Sequence, residues 1–74
     1  MTITSIDGKK VYEVYNLAEA TPDGIGIAAD SPLDAVASAA FIFGGYASIE
    51  AAKADATFGK TSVCIGDYVT TTAV

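Results

Sequence analysis

SPLDAVASAAFIFGG, residues 31–45, is the stretch of this chain that decides the fold, because it has the pattern of one complete helix. Ser31 is a typical N-cap, Pro32 suits the first helical turn, and Asp34 opposes the positive end of the helix dipole. Gly44-Gly45 is a natural helix end. Between these signals apolar residues recur at helical spacing, so we expect them to face a sheet: Leu33, Val36, Ala37, Ala40 and Phe41.

A second, shorter helix is predicted directly after the first. Ser48 is its expected N-cap and Glu50 lies in its first turn. The alanine-rich run that follows extends this helix to about Phe58, and Gly59 is the expected stop.

Strand patterns flank the helix pair on both sides. Asp7-Gly8 predicts a hairpin turn, and Thr-Pro-Asp-Gly at 21–24 marks a loop over residues 17–24. Gly66-Asp67 fits either a tight turn or a kink within one ribbon. Strands grouped around two helices are typical of the α+β class, and the chain is long enough for a single domain, residues 1–74. We therefore expect an antiparallel sheet of about four or five short strands with two helices on one face. The predicted strands occupy 3–6, 9–15, 24–29, 61–65 and 68–74.

The residue types that most catalytic sites need are missing from this sequence. It has no histidine, no arginine and one cysteine, Cys64, which we expect to be a half-buried hydrophobe. The pattern G-x-G-x-x-A at 24–29 lacks the longer strand–helix frame of a dinucleotide site, and the acids lack the spacing of a calcium loop. We predict a protein that is not an enzyme and has no catalytic residue, cofactor or metal site.

The charge balance limits the kind of partner. Four lysines against nine acids give a formal net charge of −5, which disfavours nucleic acid and anionic membranes. The longest apolar run, 35–43, is far shorter than the roughly 20 residues that span a bilayer, so we expect a soluble cytoplasmic protein. The partner predicted by this balance is a protein, or protein complex, with a basic surface.

Two groups of residues are candidates for partner binding. Along the second strand Lys10, Tyr12 and Val14 share one face, while Val11, Glu13 and Tyr15 share the other. We expect one of the two tyrosines to anchor a partner. The other group is acidic: at the end where the sheet meets the first helix, we expect one acidic rim formed by Glu19, Asp23, Asp30 and Asp34. The predicted partner-binding residues are Tyr12, Glu13, Tyr15, Glu19, Asp23, Asp30 and Asp34.

The segment Ser62-Val63-Cys64-Ile65-Gly66-Asp67 resembles a motif of short uncharacterised phage and plasmid proteins, in which an apolar-Gly-Asp turn joins two strands. The resemblance covers at most the last third of the chain and implies no catalytic residue. In size and acidity the chain is also similar to anti-CRISPR proteins, small phage inhibitors of bacterial defence complexes. This resemblance implies an inhibitor that sterically blocks a host nucleic-acid-handling complex. The alternative is a structural, self-associating module, with a homodimer formed through the uncharged terminal strand, 68–74.

Overall fold

The computed structural model describes residues 5–6, 8–19 and 24–72, and within them it confirms a small α+β domain. All strand pairings in this part of the chain are antiparallel. The predictions for Ile3, Thr4, Asp7 and 21–23 lie outside the described residues. The elements are β1 (Ser5–Ile6), β2 (Lys9–Asn16), β3 (Ile25–Ala29), α1 (Pro32–Gly44), α2 (Ile49–Ala54), β4 (Thr57–Phe58), β5 (Ser62–Ile65) and β6 (Tyr68–Thr71).

The long strand β2 connects the two parts of the sheet. Lys10 pairs with Ser5 of β1 and with Ala29 of β3, so β1 and β3 lie on opposite edges of β2. The last two residues of β2 pair with β6, then β6 pairs with β5 and β5 with β4. Tyr68 and Val69 of β6 are paired on both sides, with β2 and with β5, so these two residues have no free edge. For the remainder of the strand 68–74 the homodimer stays a prediction.

The first helix begins and ends where the sequence predicts. The Ser31 hydroxyl accepts a hydrogen bond from the backbone N–H of Asp34 at 3.1 Å, and Gly45 closes the helix with φ of 81°. The alanine-rich face is buried against the sheet, as predicted. Phe41 is the exception: its side chain is 41% exposed, because the buried stretch of α1 ends at Ala40 and the last turn extends past it.

The second helix is shorter than predicted. It ends at Ala54, where the N–H of Asp55 bonds the Ala52 carbonyl, instead of continuing to about Phe58. Thr57 and Phe58 form β4 because a β-branched and an aromatic residue favour an extended backbone that pairs with β5. This strand raises the described sheet to six strands, two of them only two residues long. The helix α2 itself packs on α1.

The sheet has one covered face and one that no described helix covers. Strand alternation places Val14, Val63, Ile65 and Thr70 on the face beneath α1, where all four are buried. The Thr70 hydroxyl donates to the Glu13 carbonyl at 2.7 Å, so the buried polar group is satisfied. We call the opposite side the helix-free face. It carries the row Tyr15, Val69, Cys64 and Thr57, which are paired in register across β2, β6, β5 and β4.

The Gly66-Asp67 segment is a tight turn rather than a kink. Ile65 lies opposite Tyr68, which leaves two residues to reverse the chain. Gly66 has φ of 60°, the left-handed backbone that the preferred hairpin turns need at this position. Cys64, one residue before this hairpin's closing pair, is half-buried as predicted.

Candidate interaction surface

The predicted tyrosine pair is divided between the two faces of the sheet. Tyr12 lies beneath α1 and packs against the core, so it is half-buried. Tyr15 lies on the helix-free face, where its hydroxyl donates to the Glu13 carboxylate at 2.6 Å. This hydrogen bond raises the pKa of Tyr15 above its ordinary value. Of the two tyrosines, Tyr15 is therefore the one presented to solvent, together with Glu13.

The predicted acidic rim does not form as one surface. Glu19 follows the C-terminal end of β2, where its N–H bonds the Asn16 carbonyl at 3.2 Å. Asp30 lies beside Lys9 at the other end, and β2 separates the two ends by about 23 Å at ~3.3 Å per residue. Asp23 lies outside the described residues. The single-rim prediction is wrong because Glu19 and Asp30 lie at opposite ends of the longest strand.

Asp30 and Asp34 instead belong to a cleft of mixed charge. Lys9 lies 3.8 Å from the Asp30 carboxylate, and Lys53 lies 2.5 Å from that of Asp34. The hydrogen bonds from Lys53 and from the Ser31 hydroxyl lower the pKa of Asp34, and the same ion pair raises the pKa of Lys53. Both acids line a cleft of about 390 Å³ between β3, α1 and α2. Since each faces a lysine, this end of the molecule is close to neutral.

The Asp34 ion pair predicts a pH-dependent stability. Because its folded pKa is lowered, Asp34 stabilises the protein above its unfolded pKa of about 3.9, and this contribution is lost as the pH falls through the folded value. Asp34→Asn is expected to lower the melting temperature by about 2–4 °C near pH 7, the size of a partly exposed ion pair. Thermal unfolding from about pH 7 to about pH 2 should show the two proteins converging in acid. A difference that stays constant across this range would contradict the assignment.

The opposite end of the molecule exposes large apolar side chains, and we call it the apolar end. Phe41, Ile42 and Phe43 form the last turn of α1 with 41%, 62% and 57% of their surface exposed, and Leu17 after β2 is 61% exposed. Successive helix residues point about 100° apart, so no single neighbouring element can cover all three. Exposed apolar groups collected at one place are typical of an interaction site.

Backbone contacts bring the separate parts of the apolar end together. The N–H of Leu17 bonds the Asp67 carbonyl at 2.8 Å, which fixes the end of β2 beside the β5–β6 turn. Phe43, Asp67 and Tyr46 line one cleft of about 390 Å³. Gly44 lets α1 approach the sheet here, since a Cβ on it would lie only 3.0 Å from the Tyr68 ring. A concave feature of mixed polarity therefore lies between Phe43 and the turn.

The charges near the apolar end are acidic. Glu19 and Asp67 are exposed there. Tyr46, which lines the cleft, donates a hydrogen bond to the Asp55 carboxylate, and this bond raises the pKa of Tyr46. All four lysines lie elsewhere: three are in or beside the mixed-charge cleft, and Lys60 precedes β5, whose other end leads into the Gly66-Asp67 turn. The apolar end thus combines exposed apolar groups with uncompensated negative charge.

The sequence prediction missed Leu17 and Phe43. Leu17 belongs to the predicted loop 17–24, and nothing in the neighbouring sequence indicates that its backbone bonds a turn fifty residues later. The sequence does contain a signal that apolar side chains are exposed at the end of the first helix. Residues 41–43 are three consecutive large apolar residues, more than one face of a helix can bury.

Comparison with known proteins identifies no relative: no family model, no curated protein and no solved structure matches this chain. Among the described residues, no group of three or more acids or cysteines is arranged to hold a metal ion. Within the same residues, neither helix has the length and apolar character needed to cross a membrane. The assignment of function therefore rests on the surface of the molecule.

Proposed function

We propose that this protein is a non-enzymatic protein-binding module that docks through its apolar end on a partner with a basic surface. The observation that carries the proposal is that Leu17 and Phe43, each more than half exposed, lie at the same end of the molecule. The charged residues beside them are the acids Glu19 and Asp67, and no described lysine lies nearby. Apolar anchors surrounded by charge are the usual anatomy of a protein interface.

The apolar side chains provide affinity and the acids provide orientation. Phe43 and Leu17 lose their remaining water contact when they enter an apolar depression of the partner, which favours binding by the hydrophobic effect. Glu19 and Asp67 meet lysine or arginine around that depression and increase the rate of encounter. Tyr15 and Glu13 lie on the helix-free face, outside the cleft lined by Phe43, and are secondary contacts in this proposal.

The partner we propose is a host protein complex that handles nucleic acid. Such complexes carry basic surfaces, which an acidic module of net charge −5 can occupy in place of a phosphate backbone. The resemblance of 62–67 to phage and plasmid proteins, and the similarity to anti-CRISPR inhibitors in size and acidity, support a mobile-element inhibitor. The mechanism is occupation: the bound module sterically prevents nucleic acid from reaching its groove.

The test is a pull-down from nuclease-treated extract of the native host, with variants matched for exposure. Phe43→Ser is expected to weaken capture of the partner about 30-fold, the loss of an interface anchor worth about 2 kcal/mol. Phe58→Ser is the control, since Phe58 is 65% exposed on β4. Glu19→Lys should also weaken capture, and the loss should be larger at low salt than at high salt.

The outcomes separate the parts of the proposal. If Phe58→Ser abolished capture of the partner while Phe43→Ser left it intact, the apolar end would not be the binding surface. A nuclease-resistant complex with a protein that binds no nucleic acid would refute the inhibitor role but not the binding module. Recovery of the chain alone would refute both.

A further inference from the structure

The cleft at the apolar end is lined by three aromatic residues, Phe43, Tyr46 and Tyr68. Gly44, at the end of α1, lies against the Tyr68 ring, because a Cβ on it would be 3.0 Å from Cε2. The Tyr46 hydroxyl reaches the β5–β6 turn, 3.8 Å from where a Cβ on Gly66 would lie. Phe43 is more than half exposed, so its ring is open to a ligand. We call this feature the aromatic cleft.

The polar groups of the aromatic cleft include three hydrogen-bond acceptors. Asp67 is the one charged residue among the described residues that line it, and no described lysine pairs with its carboxylate. The Tyr46 hydroxyl donates to the Asp55 carboxylate, so its oxygen is left to accept from a ligand. Asn16 also lines the cleft, and its Oδ1, held by the Ala18 N–H at 3.0 Å, keeps a second lone pair. The ligand that matches these groups is a hydrogen-bond donor.

The electrostatic potential at the aromatic cleft is negative. Asp67 lines the cleft, and Asp55 accepts a hydrogen bond from a tyrosine of its wall. The Lys53 ammonium bonds Asp34 in the first turn of α1, about 14 Å from Phe43 along the helix axis at ~1.5 Å per residue. Salt screens charges over that distance, since the Debye length is about 8 Å at physiological ionic strength. The two carboxylates therefore attract a cation.

The chemistry of the lining decides which kind of side chain can enter the aromatic cleft. An aliphatic side chain would cover the Asp67 carboxylate without bonding it, which costs free energy. An acidic side chain would be repelled by the same carboxylate. A basic side chain gains from both parts of the lining, because aromatic rings attract cations over their faces and a carboxylate accepts a charge-assisted hydrogen bond.

We propose that the aromatic cleft receives an arginine side chain of the partner protein, with the guanidinium over the Phe43 ring and bonded to the Asp67 carboxylate. This inference rests on the proposed function and names the group that the partner presents to the apolar end. Arginine fits better than lysine because its planar guanidinium stacks on aromatic rings and carries five N–H donors and no acceptor. The lysine ammonium is a compact, strongly hydrated charge with three donors.

The first test is an NMR titration of the isotope-labelled protein with a blocked pentapeptide that carries one arginine between two glycines on each side. We expect saturable shifts of the Phe43, Gly44, Gly66 and Asp67 amide signals, with a dissociation constant of about 1–10 mM at about 150 mM salt. The same peptide with citrulline keeps the shape of arginine and lacks its charge. The citrulline and lysine peptides are each expected to bind at least about threefold more weakly.

Two variants with matched controls separate the ring from the charge. Phe43→Leu keeps an apolar side chain and removes the ring, so it is expected to raise the dissociation constant about threefold. Phe58→Leu, exposed on β4 and outside the cleft, should leave it unchanged. Asp67→Asn keeps the shape and suits the turn, and is expected to raise the constant about fivefold. Glu50→Gln removes the same charge from α2 and should have no effect. Circular dichroism checks that each variant is folded.

Four outcomes would overturn the proposal. The amide signals of the aromatic cleft could fail to shift at up to about 50 mM arginine peptide, a concentration well above the expected dissociation constant. The citrulline peptide could bind as tightly as the arginine peptide, which would remove the role of the charge. The lysine peptide could bind as tightly or more tightly, which would remove the role of the planar fork. Phe43→Leu and Asp67→Asn could both leave the dissociation constant unchanged.

Failure of this inference and failure of the proposed function give different results. If the pull-down recovered the chain alone while the arginine peptide still shifted the signals of the aromatic cleft, the cleft would bind arginine and the proposed partner would be wrong. If a partner were captured and lost with Phe43→Ser, yet retained with Asp67→Asn and with no shift by the peptide, the binding module would stand. The arginine assignment alone would then be refuted.

Discussion

Ile65→Ala is expected to lower the free energy of unfolding by about 2–5 kcal/mol. Ile65 is among the largest fully buried side chains, and it lies opposite Tyr68 at the base of the β5–β6 hairpin. The substitution removes three carbons from a fully buried site and leaves a cavity where β5 meets α1. A domain of 74 residues has roughly 4–11 kcal/mol of stability in total, so the variant should be close to unfolding.

Ile42→Ala is the matched control for this prediction, because it deletes the same atoms from a side chain that is 62% exposed. Alanine also has the higher helix propensity, so the expected change is within about 0.5 kcal/mol in either direction. Urea unfolding followed by far-UV circular dichroism measures both variants. If both variants lost the same free energy of unfolding, Ile65 would not be buried in the core while Ile42 is exposed at the apolar end.

The same pair of variants separates folding from binding. Ile42 belongs to the apolar end, so Ile42→Ala should weaken partner capture while the protein remains as stable as the wild type. Ile65→Ala acts on stability, and any loss of capture should follow the unfolded fraction. Proteins often carry binding groups that contribute little to stability, and this contrast tests whether Ile42 is one of them.

Features fixed by local sequence could be predicted. Ser31 caps α1 because its hydroxyl bonds an N–H three residues later, and Gly45 adopts a left-handed backbone that other residues avoid. The α+β class follows from these signals and from the strand patterns on either side. Such interactions depend on near neighbours, which the sequence displays directly.

Features that depend on distant pairing were predicted less well. β4 exists because Thr57 and Phe58 pair with Cys64 and Val63, and it replaces the last turn predicted for α2. Glu19 and Asp30 were assigned to one rim, although the eight residues of β2 hold them at opposite ends. Leu17 is positioned by a backbone bond to Asp67. Each outcome requires knowledge of which strands are neighbours, and periodicity alone does not give the strand order.

The contact between the two helices leads to the second large prediction. Ala52 is the buried residue of α2 and is fully enclosed, and the helix it meets is also lined with alanine. Small side chains allow the two helices to approach closely, which leaves no room for a longer one. Ala52→Leu is therefore expected to destabilise the protein by about 1–3 kcal/mol, whereas Ala51→Leu, one residue earlier and exposed, should stay within about 0.5 kcal/mol.

A second readout distinguishes movement of α2 from a general loss of stability. If leucine at 52 pushes α2 away from α1, Lys53 on α2 moves away from Asp34 on α1, and the pKa of Asp34 returns towards its ordinary value. An NMR titration of the Asp34 carboxyl group should show this change in Ala52→Leu and not in Ala51→Leu. Because α2 packs mainly on α1, the sheet should keep its pairing in both variants. If Ala52→Leu proved as stable as Ala51→Leu, with Asp34 unchanged, the interface would have to contain a gap large enough for leucine, and close alanine packing would not be what holds α2 in place.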